Sequence, residues 1–445
     1  MTDVRVSRWR GRRTLSAMVF VVAAALAVGL SPAGAASVTE TRRVSVNVSW
    51  IGTDTNGGSS SPSISADGRF VAFHSAASNL IVNDTNNFSD VFVYDRSTDS
   101  TRRVSVSSTG AQGNAHSFNP SISADGRLVA FQSGANFTEG DTNSTDDVFV
   151  RNRSTHTTRR VSVSSTGELG NGASSNPSIS ADGRFVAFYS SATNLVASDT
   201  NKSMDVFVYD RWTHTTRRIS VSSTGRQANG ASYQPSISAH GRFIAFYSDA
   251  TNLVGTDSNS RSDVFVFDRT TGTTRRISVS STGKQGNNDS ANPAISADGR
   301  FVAFYSDASN LVGADTNALR DVFVYNRSTH TTRRVSVSST GTQGDGGSAN
   351  PSISAHGRFV TFVSIASNLV DTDTNAVTDV FVHDRFTHST QRVSVSSAGM
   401  QGDSDSYDTS ISADGRFVAF ESYATNLVPN DTNLATDVFV RGPLH

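Results

Sequence analysis

The residues best placed to do chemistry recur in a fixed pattern, Asp-[Thr/Ser]-Asn-x-x-x-Asp, which occurs seven times. The sets are Asp84/Asn86/Asp90, Asp141/Asn143/Asp147, Asp199/Asn201/Asp205, Asp257/Asn259/Asp263, Asp315/Asn317/Asp321, Asp373/Asn375/Asp379 and Asp431/Asn433/Asp437. Carboxylate and amide oxygens at the first, third and seventh positions are donors that suit calcium, an ion that takes about six to eight oxygens. An EF-hand-type loop would add a ligand at the fifth position and a bidentate Glu; neither is present, so backbone carbonyls and water would complete the shell. The other reading is structural: Asp and Asn bond their own backbone in turns, and the last Asp can fix the entry to a strand. Duplicated units copy either feature, so calcium as a cofactor and a pure turn role both stay open.

A second repeated group is a serine three residues before a proline position: Ser59, Ser117, Ser174, Ser232, Ser290, Ser348 and Ser406. Seven hydroxyls at one level would suit a glycan or a peptide, or would bond the backbone of a neighbouring loop. No catalytic residue stands out. The chain has no Cys, and it lacks the Gly-x-Ser-x-Gly elbow of a hydrolase domain. Glycoside cleavage needs a distinct pair of carboxylates, whereas near-identical units present a ring of like residues. The expectation is a protein that is not an enzyme.

These residues sit on a repeat. The stretch Ser-Ala-Asp/His-Gly-Arg places a glycine at Gly68, Gly126, Gly183, Gly241, Gly299, Gly357 and Gly415, 57 or 58 residues apart. Such a period marks a repeat architecture. In the third unit the spacing predicts strand a at Pro177–Ser180, b at Arg184–Ser190, c at Asp205–Tyr209 and d at Thr216–Val221. Strands b and c are short apolar runs, as for strands covered on both faces, while d alternates as an outer strand does. The Asp-Gly between a and b predicts a two-residue hairpin with both residues at positive φ. His240 and His356 stand in for that Asp, and His156, His214, His330 and His388 lie in the c–d links; all six read as turn residues, since His tolerates positive φ better than most.

A four-stranded antiparallel meander repeated seven times predicts an all-β fold, a seven-bladed β-propeller. The chain ends support it. Thr41-Arg-Arg-Val-Ser-Val46 is an orphan strand d before the first unit, and the last strand c, Asp437–Arg441, has no d after it. Pairing the two would close the ring and cover an exposed edge. The a–b and c–d links are short, so one face of the ring is plain. The long b–c and d–a loops share the other, where binding is expected.

The motif Pro-Ser-Ile-Ser-Ala-Asp-Gly-Arg-Phe-Val-Ala-Phe, followed by Asp-Val-Phe-Val-Tyr-Asp-Arg and Thr-Arg-Arg-Val-Ser, resembles the repeat of TolB-like propellers, a WD-repeat-like family. The resemblance covers about residues 41–441. It implies the propeller fold, export, and a non-catalytic binding or scaffold role. The helical companion domain of that type is absent from the sequence, and the b–c loop is longer.

Five arginines precede Leu15, an apolar run spans Met18 to Leu30, and Ala33-x-Ala35 offers a cleavage site. This predicts a secretory signal peptide at 1–35 and a propeller at 36–445. The apolar run is too short for a span, which wants about 20 residues. The exported form is then expected in the periplasm, the cell envelope or outside the cell, without a membrane span and as a monomer. Net charge is −1 for the whole chain and about −5 without residues 1–35, which argues against a nucleic-acid partner. The expected partner is a protein, peptide or glycan. The alternatives are a glycan-active hydrolase or lyase on a propeller, and a structural envelope or matrix protein.

Overall fold

The computed structural model describes Met1 and residues 39–47, 54–138, 143–313 and 315–445. The expected signal peptide lies outside the described residues. The rest form seven four-stranded antiparallel sheets, a seven-bladed β-propeller as the repeat predicts. No helix among the described residues is long and apolar enough to cross a membrane.

In the third blade strand a is Ser174–Ile179, b Phe185–Ser190, c Asp205–Asp210 and d Thr215–Arg218. Strand a starts three residues before the predicted Pro177 because a bulge carries the pairing through it: the register shifts between Ser175 and Ser178. Asn176, at φ 47, is the bulged residue. The bulge accommodates Pro177, which has no N–H to give a ladder. Strand d is shorter than predicted. Val221 makes only an isolated bridge to Leu-or-Gln positions of the next loop, here Gln227, because Ser222 already turns the chain by donating its N–H to Arg226 O at 2.8 Å.

Strand c is buried throughout and strand d alternates, as their sequences require. The apolar residues meet between blades. Val206, Val208 and Ile219 of the third blade pack with Ile244, Phe246, Phe265 and Phe267 of the fourth in one cluster, and every seam has its counterpart. Cross-strand phenylalanines stack within each blade, as Phe188 and Phe207 do at 6.0 Å between centroids. The 26 Phe of the chain therefore supply the core that a polar composition alone would not.

The a–b turn is not the predicted two-residue hairpin. Ser65 and Phe70 bond across it, Ser65 N to Phe70 O at 2.8 Å, so four residues lie in the loop, and Gly68 N donates to Ser65 O at 3.0 Å. Only the glycine takes positive φ, 73° at Gly68. Asp67 instead accepts hydrogen bonds from Ser65 Oγ at 2.6 Å and Arg69 N at 2.9 Å, an Asx turn. Neither His240 nor His356 is at positive φ, but His156, His214, His330 and His388 are. The glycine also answers to packing. A Cβ on Gly241 would lie 2.2 Å from Phe185 Cδ2 of the preceding blade; five of the other turn glycines also meet a phenylalanine there, and Gly183 meets Leu128. Beside them Ala66 N donates to Ala124 O, and the pattern continues through Ala181, Ala239, Ala297, Ala355 and Ala413, which returns to Ala66 O at 3.0 Å.

The ring closes as the chain ends predict. In the seventh blade the order is Ser406–Ile411, Val418–Ser422, Asp437–Gly442 and then Glu40–Arg43. Arg43 faces Phe439 and Glu40 faces Gly442. Val44 packs with Val438 and Val440 against Phe73, Phe92 and Tyr94 of the first blade.

Candidate functional site

The b–c loop carboxylates surround an arginine of their own blade. In the first blade Arg103 Nη1 lies 3.0 Å from Asp84 Oδ1 and 2.8 Å from Asp90 Oδ2. Asp90 is fully buried; its Oδ1 accepts Ser105 Oγ at 2.5 Å and its Oδ2 also accepts Asn86 Nδ2 at 3.0 Å. Asn86 donates to Gly113 O as well, and its oxygen accepts Phe88 N. Both ends of the amide are thus used inside the loop.

The same geometry recurs. Arg160 meets Asp147, with Asn143 on Gly170 O; Asp141 lies outside the described residues. Arg218 meets Asp199 and Asp205, Arg276 meets Asp257 and Asp263, Arg334 meets Asp315 and Asp321, and Arg392 meets Asp373 and Asp379. Asn201, Asn259, Asn317 and Asn375 each donate to a d–a loop carbonyl. In the seventh blade Arg43 contacts three carboxylates, Asp54 at 2.8 Å, Asp431 at 3.2 Å and Asp437 at 3.3 Å, with Asn433 bridging Asp437 and Thr55. Burial and the neighbouring Asp437 push Asp431 up to about 6, against the pull of Arg43.

The guanidinium nitrogens hold the centre that the calcium expectation assigns to a cation. Among the described residues no group of three or more His, Cys, Asp or Glu is set to hold a metal ion. The serines are engaged too. Ser59 bonds Ser75 Oγ of its own blade at 2.8 Å, and Ser232 bonds Ser248 at 2.8 Å. All seven are buried. Their hydroxyls tie strand a to strand b, while each backbone N–H donates to a b–c loop carbonyl of the preceding blade, as Ser117 N does to Ser89 O at 2.8 Å.

The channel is a different matter. A cavity of about 440 Å³ is lined by the bulges of all seven strands a. Its ring is Ser61, Asn119, Asn176, Gln234, Asn292, Asn350 and Asp408, each at positive φ. Neighbours in the ring bond one another: Asn119 to Asn176 at 2.6 Å, Asn292 to Asn350 at 2.7 Å, and Asn350 to Asp408 at 3.2 Å. Just above, on the long-loop side, the residue before the last serine of strand b is of five types in seven blades: His74, Gln132, Tyr189, Tyr247, Tyr305, Val363 and Glu421. Its cross-strand partners vary as well, from Ser60 and Phe118 to Tyr233 and Tyr407.

Here unlike residues converge, which the near-identity of the blades argued against. Tyr233 sits between Tyr189 at 5.6 Å and Tyr247 at 5.3 Å, and Arg320 lies 4.3 Å over Tyr305. Across the ring, Glu421 accepts Ser61 N at 2.8 Å. Burial, reinforced by the nearby charge of Asp408, pushes Glu421 up to about 7, and burial also raises Asp408. His74 is pushed down to about 4 by burial. Laying the seven units under one another reveals these residues in the sequence, as the position where the Phe-Val-Ala-Phe-x-Ser run changes.

No protein-family model matches the chain, and a comparison with curated proteins gives no match. Solved structures match it as propellers. An oligogalacturonate lyase in complex with manganese is 11% identical, with 91% of this chain and 93% of that chain covered, at a TM-score of 0.54. The β-propeller domain of the Trilobed protease from Pyrococcus furiosus is 10% identical over 87% of this chain and 94% of that one, at 0.53. TolB from Acinetobacter baumannii is 13% identical over 86% and 79%, at 0.40. What is shared at these identities is the fold.

Proposed function

We propose that this propeller is an exported, non-catalytic binding module that takes a glycan or peptide segment at the long-loop mouth of its channel. The observation that carries the reading is the change of residue type at one level of the wall, with tyrosines in the third to fifth blades and the Glu421 and Asp408 carboxylates in the seventh. Half-buried tyrosines offer faces and edges for a sugar ring or an apolar side chain. The two carboxylates and the channel amides accept from hydroxyl, amide or ammonium donors. Loops on a rigid scaffold are where such recognition concentrates. Export rests on the N-terminal segment. A glycan and peptide array probed with the wild type and with Tyr247→Ala tests the reading. A ligand retained by the wild type and lost by the variant supports it; equal retention by both removes the mouth from the account.

A second reading is acid–base chemistry on a glycan by Asp408 and Glu421, two unlike carboxylates of which one is poised near neutrality. Turnover of a neutral glycan by the wild type, abolished in Asp408→Asn, would favour it over simple binding.

A further inference from the structure

A groove of about 1020 Å³ runs along the seam of the fifth and sixth blades, from the c–d links of the plain end to Val312, Gly313 and Thr340 of the long loops. Asn326, Thr331 and Arg333 line it from one side, His383, Arg385 and His388 from the other, and Phe301 is at its base.

Its charge is set by one exchange. In four blades the arginine of the a–b turn is paired with an Asp that ends strand c: Arg69–Asp95 at 2.7 Å, Arg184–Asp210 at 2.7 Å, Arg242–Asp268 at 2.9 Å and Arg358–Asp384 at 2.7 Å. In the fifth blade the strand ends in Asn326, and Arg300 has no ion pair among the described residues. Arg300 and Arg385 lie 5.0 and 4.3 Å over the Phe301 ring, and Arg385 also donates to Gly357 O. Arg333 is exposed beside them. The nearby acids are committed elsewhere: Asp298 accepts Ser296 Oγ and Arg300 N within its own turn, and Asp384 pairs with Arg358. Burial, with the charges of Arg333 and Arg300, holds Arg385 down at about 10, and burial with His388 and Arg385 holds His383 at about 4. Both shifts come first from burial, and the neighbouring positive groups add to them.

We propose that this groove is a binding site for a phosphate group, free or carried as an ester by a larger ligand. One guanidinium satisfies a carboxylate, whereas a tetrahedral oxyanion offers acceptors to several forked donors at once. Two guanidiniums over one aromatic ring, with the exposed Arg333 and threonine hydroxyls along the wall, fit the second case. Thr329 and Thr331 share a hydrogen bond of 2.8 Å at the rim, and either can donate outward.

The test is calorimetric titration of the full chain with inorganic pyrophosphate and, separately, with a short glycerol phosphodiester polymer. Saturable binding of pyrophosphate alone assigns the site to free phosphates, and binding of the polymer assigns it to a diester chain; either supports the proposal. Asn326→Asp restores the acid that four blades carry, so the turn bond from Ser328 N to residue 326 is kept and folding is preserved. It is expected to weaken binding about tenfold or more, as is Arg333→Gln, because each removes a net charge from the anion's surroundings. Asn152→Asp, the same exchange at the seam of the second and third blades, is expected to leave binding unchanged. Absence of saturable binding in the wild type, undiminished binding in Asn326→Asp, or a loss confined to Asn152→Asp would each overturn the assignment.

Discussion

Glu421 accepts the backbone N–H of Ser61 at 2.8 Å across the seam where the last blade meets the first, the place where Gln132 accepts that of Asn176 at 3.0 Å. A neutral amide thus performs in the second blade what a buried carboxyl performs in the seventh.

Glu421→Gln should therefore fold and should be more stable at alkaline pH. The fold raises Glu421 from 4.5 to about 7, so the native state keeps a proton that the unfolded chain releases. Stability then declines as pH climbs from about 4.5 through about 7, and the full penalty, at most about 3 kcal/mol, stands above that. Thermal melts from pH 4 to pH 9 should show a shallower decline in the variant. A residual slope remains from Asp431, raised to about 6. Parallel curves for wild type and variant would refute the shift.

Asp90→Ala should destabilise the first blade by roughly 3 kcal/mol or more, since it leaves Arg103 without its closest carboxylate and Ser105 without its acceptor. The same arrangement leads us to expect identical melting in millimolar calcium and in chelator. An upward shift with calcium would show that the ion displaces the guanidiniums.

Two glycines separate backbone strain from packing. Gly225 has φ of 81° with open space around it, and Gly241 has φ of 68° with Phe185 in the way. Alanine at Gly225 should cost about 1 kcal/mol, the price of a left-handed residue. Alanine at Gly241 should cost roughly 3 kcal/mol, because a seam must also open. Urea midpoints compare them; equal losses would mean that Phe185 rotates away freely.

Deleting residues 36–48 removes the outer strand of the seventh blade, with the Ser45 Oγ bond to Asp437 at 2.5 Å. The strand Asp437–Gly442 then becomes an edge, and edges invite pairing with other chains. Light scattering should report self-association. A truncated chain as monodisperse as the full one would contradict the closure.

The fold was legible because its signals are repeated and local: Phe-Val-Ala-Phe for strand b, Asp-Val-Phe-Val for strand c, an orphan strand d before the first unit and none after the last strand c. The turn was misjudged for a reason that local propensity does not contain. Asp-Gly favours a primed hairpin in isolation, but here Asp67 bonds Ser65 and the glycine lies under a phenylalanine of the neighbouring blade. The partner of the loop acids was not legible in the local pattern, because the arginine they meet, such as Arg103, stands 13 residues further along the chain from Asp90. The channel wall is obscured by the regularity that reveals the fold, since Glu421 and Asp408 stand at positions that do not repeat.

The seven alanine contacts of the a–b turns all run one way round, each N–H pointing to the carbonyl of the next blade until Ala413 meets Ala66. A helix built of aligned peptides leaves unpaired groups at each end and a macrodipole between them. A closed circuit has no ends. Its bond vectors cancel around the axis, so this mouth of the channel exerts no helix-like pull on a passing charge. The circuit also cannot be partly made with all its members satisfied: a chain with one blade undocked leaves a donor and an acceptor bare, and only the last blade to seat completes every bond at once.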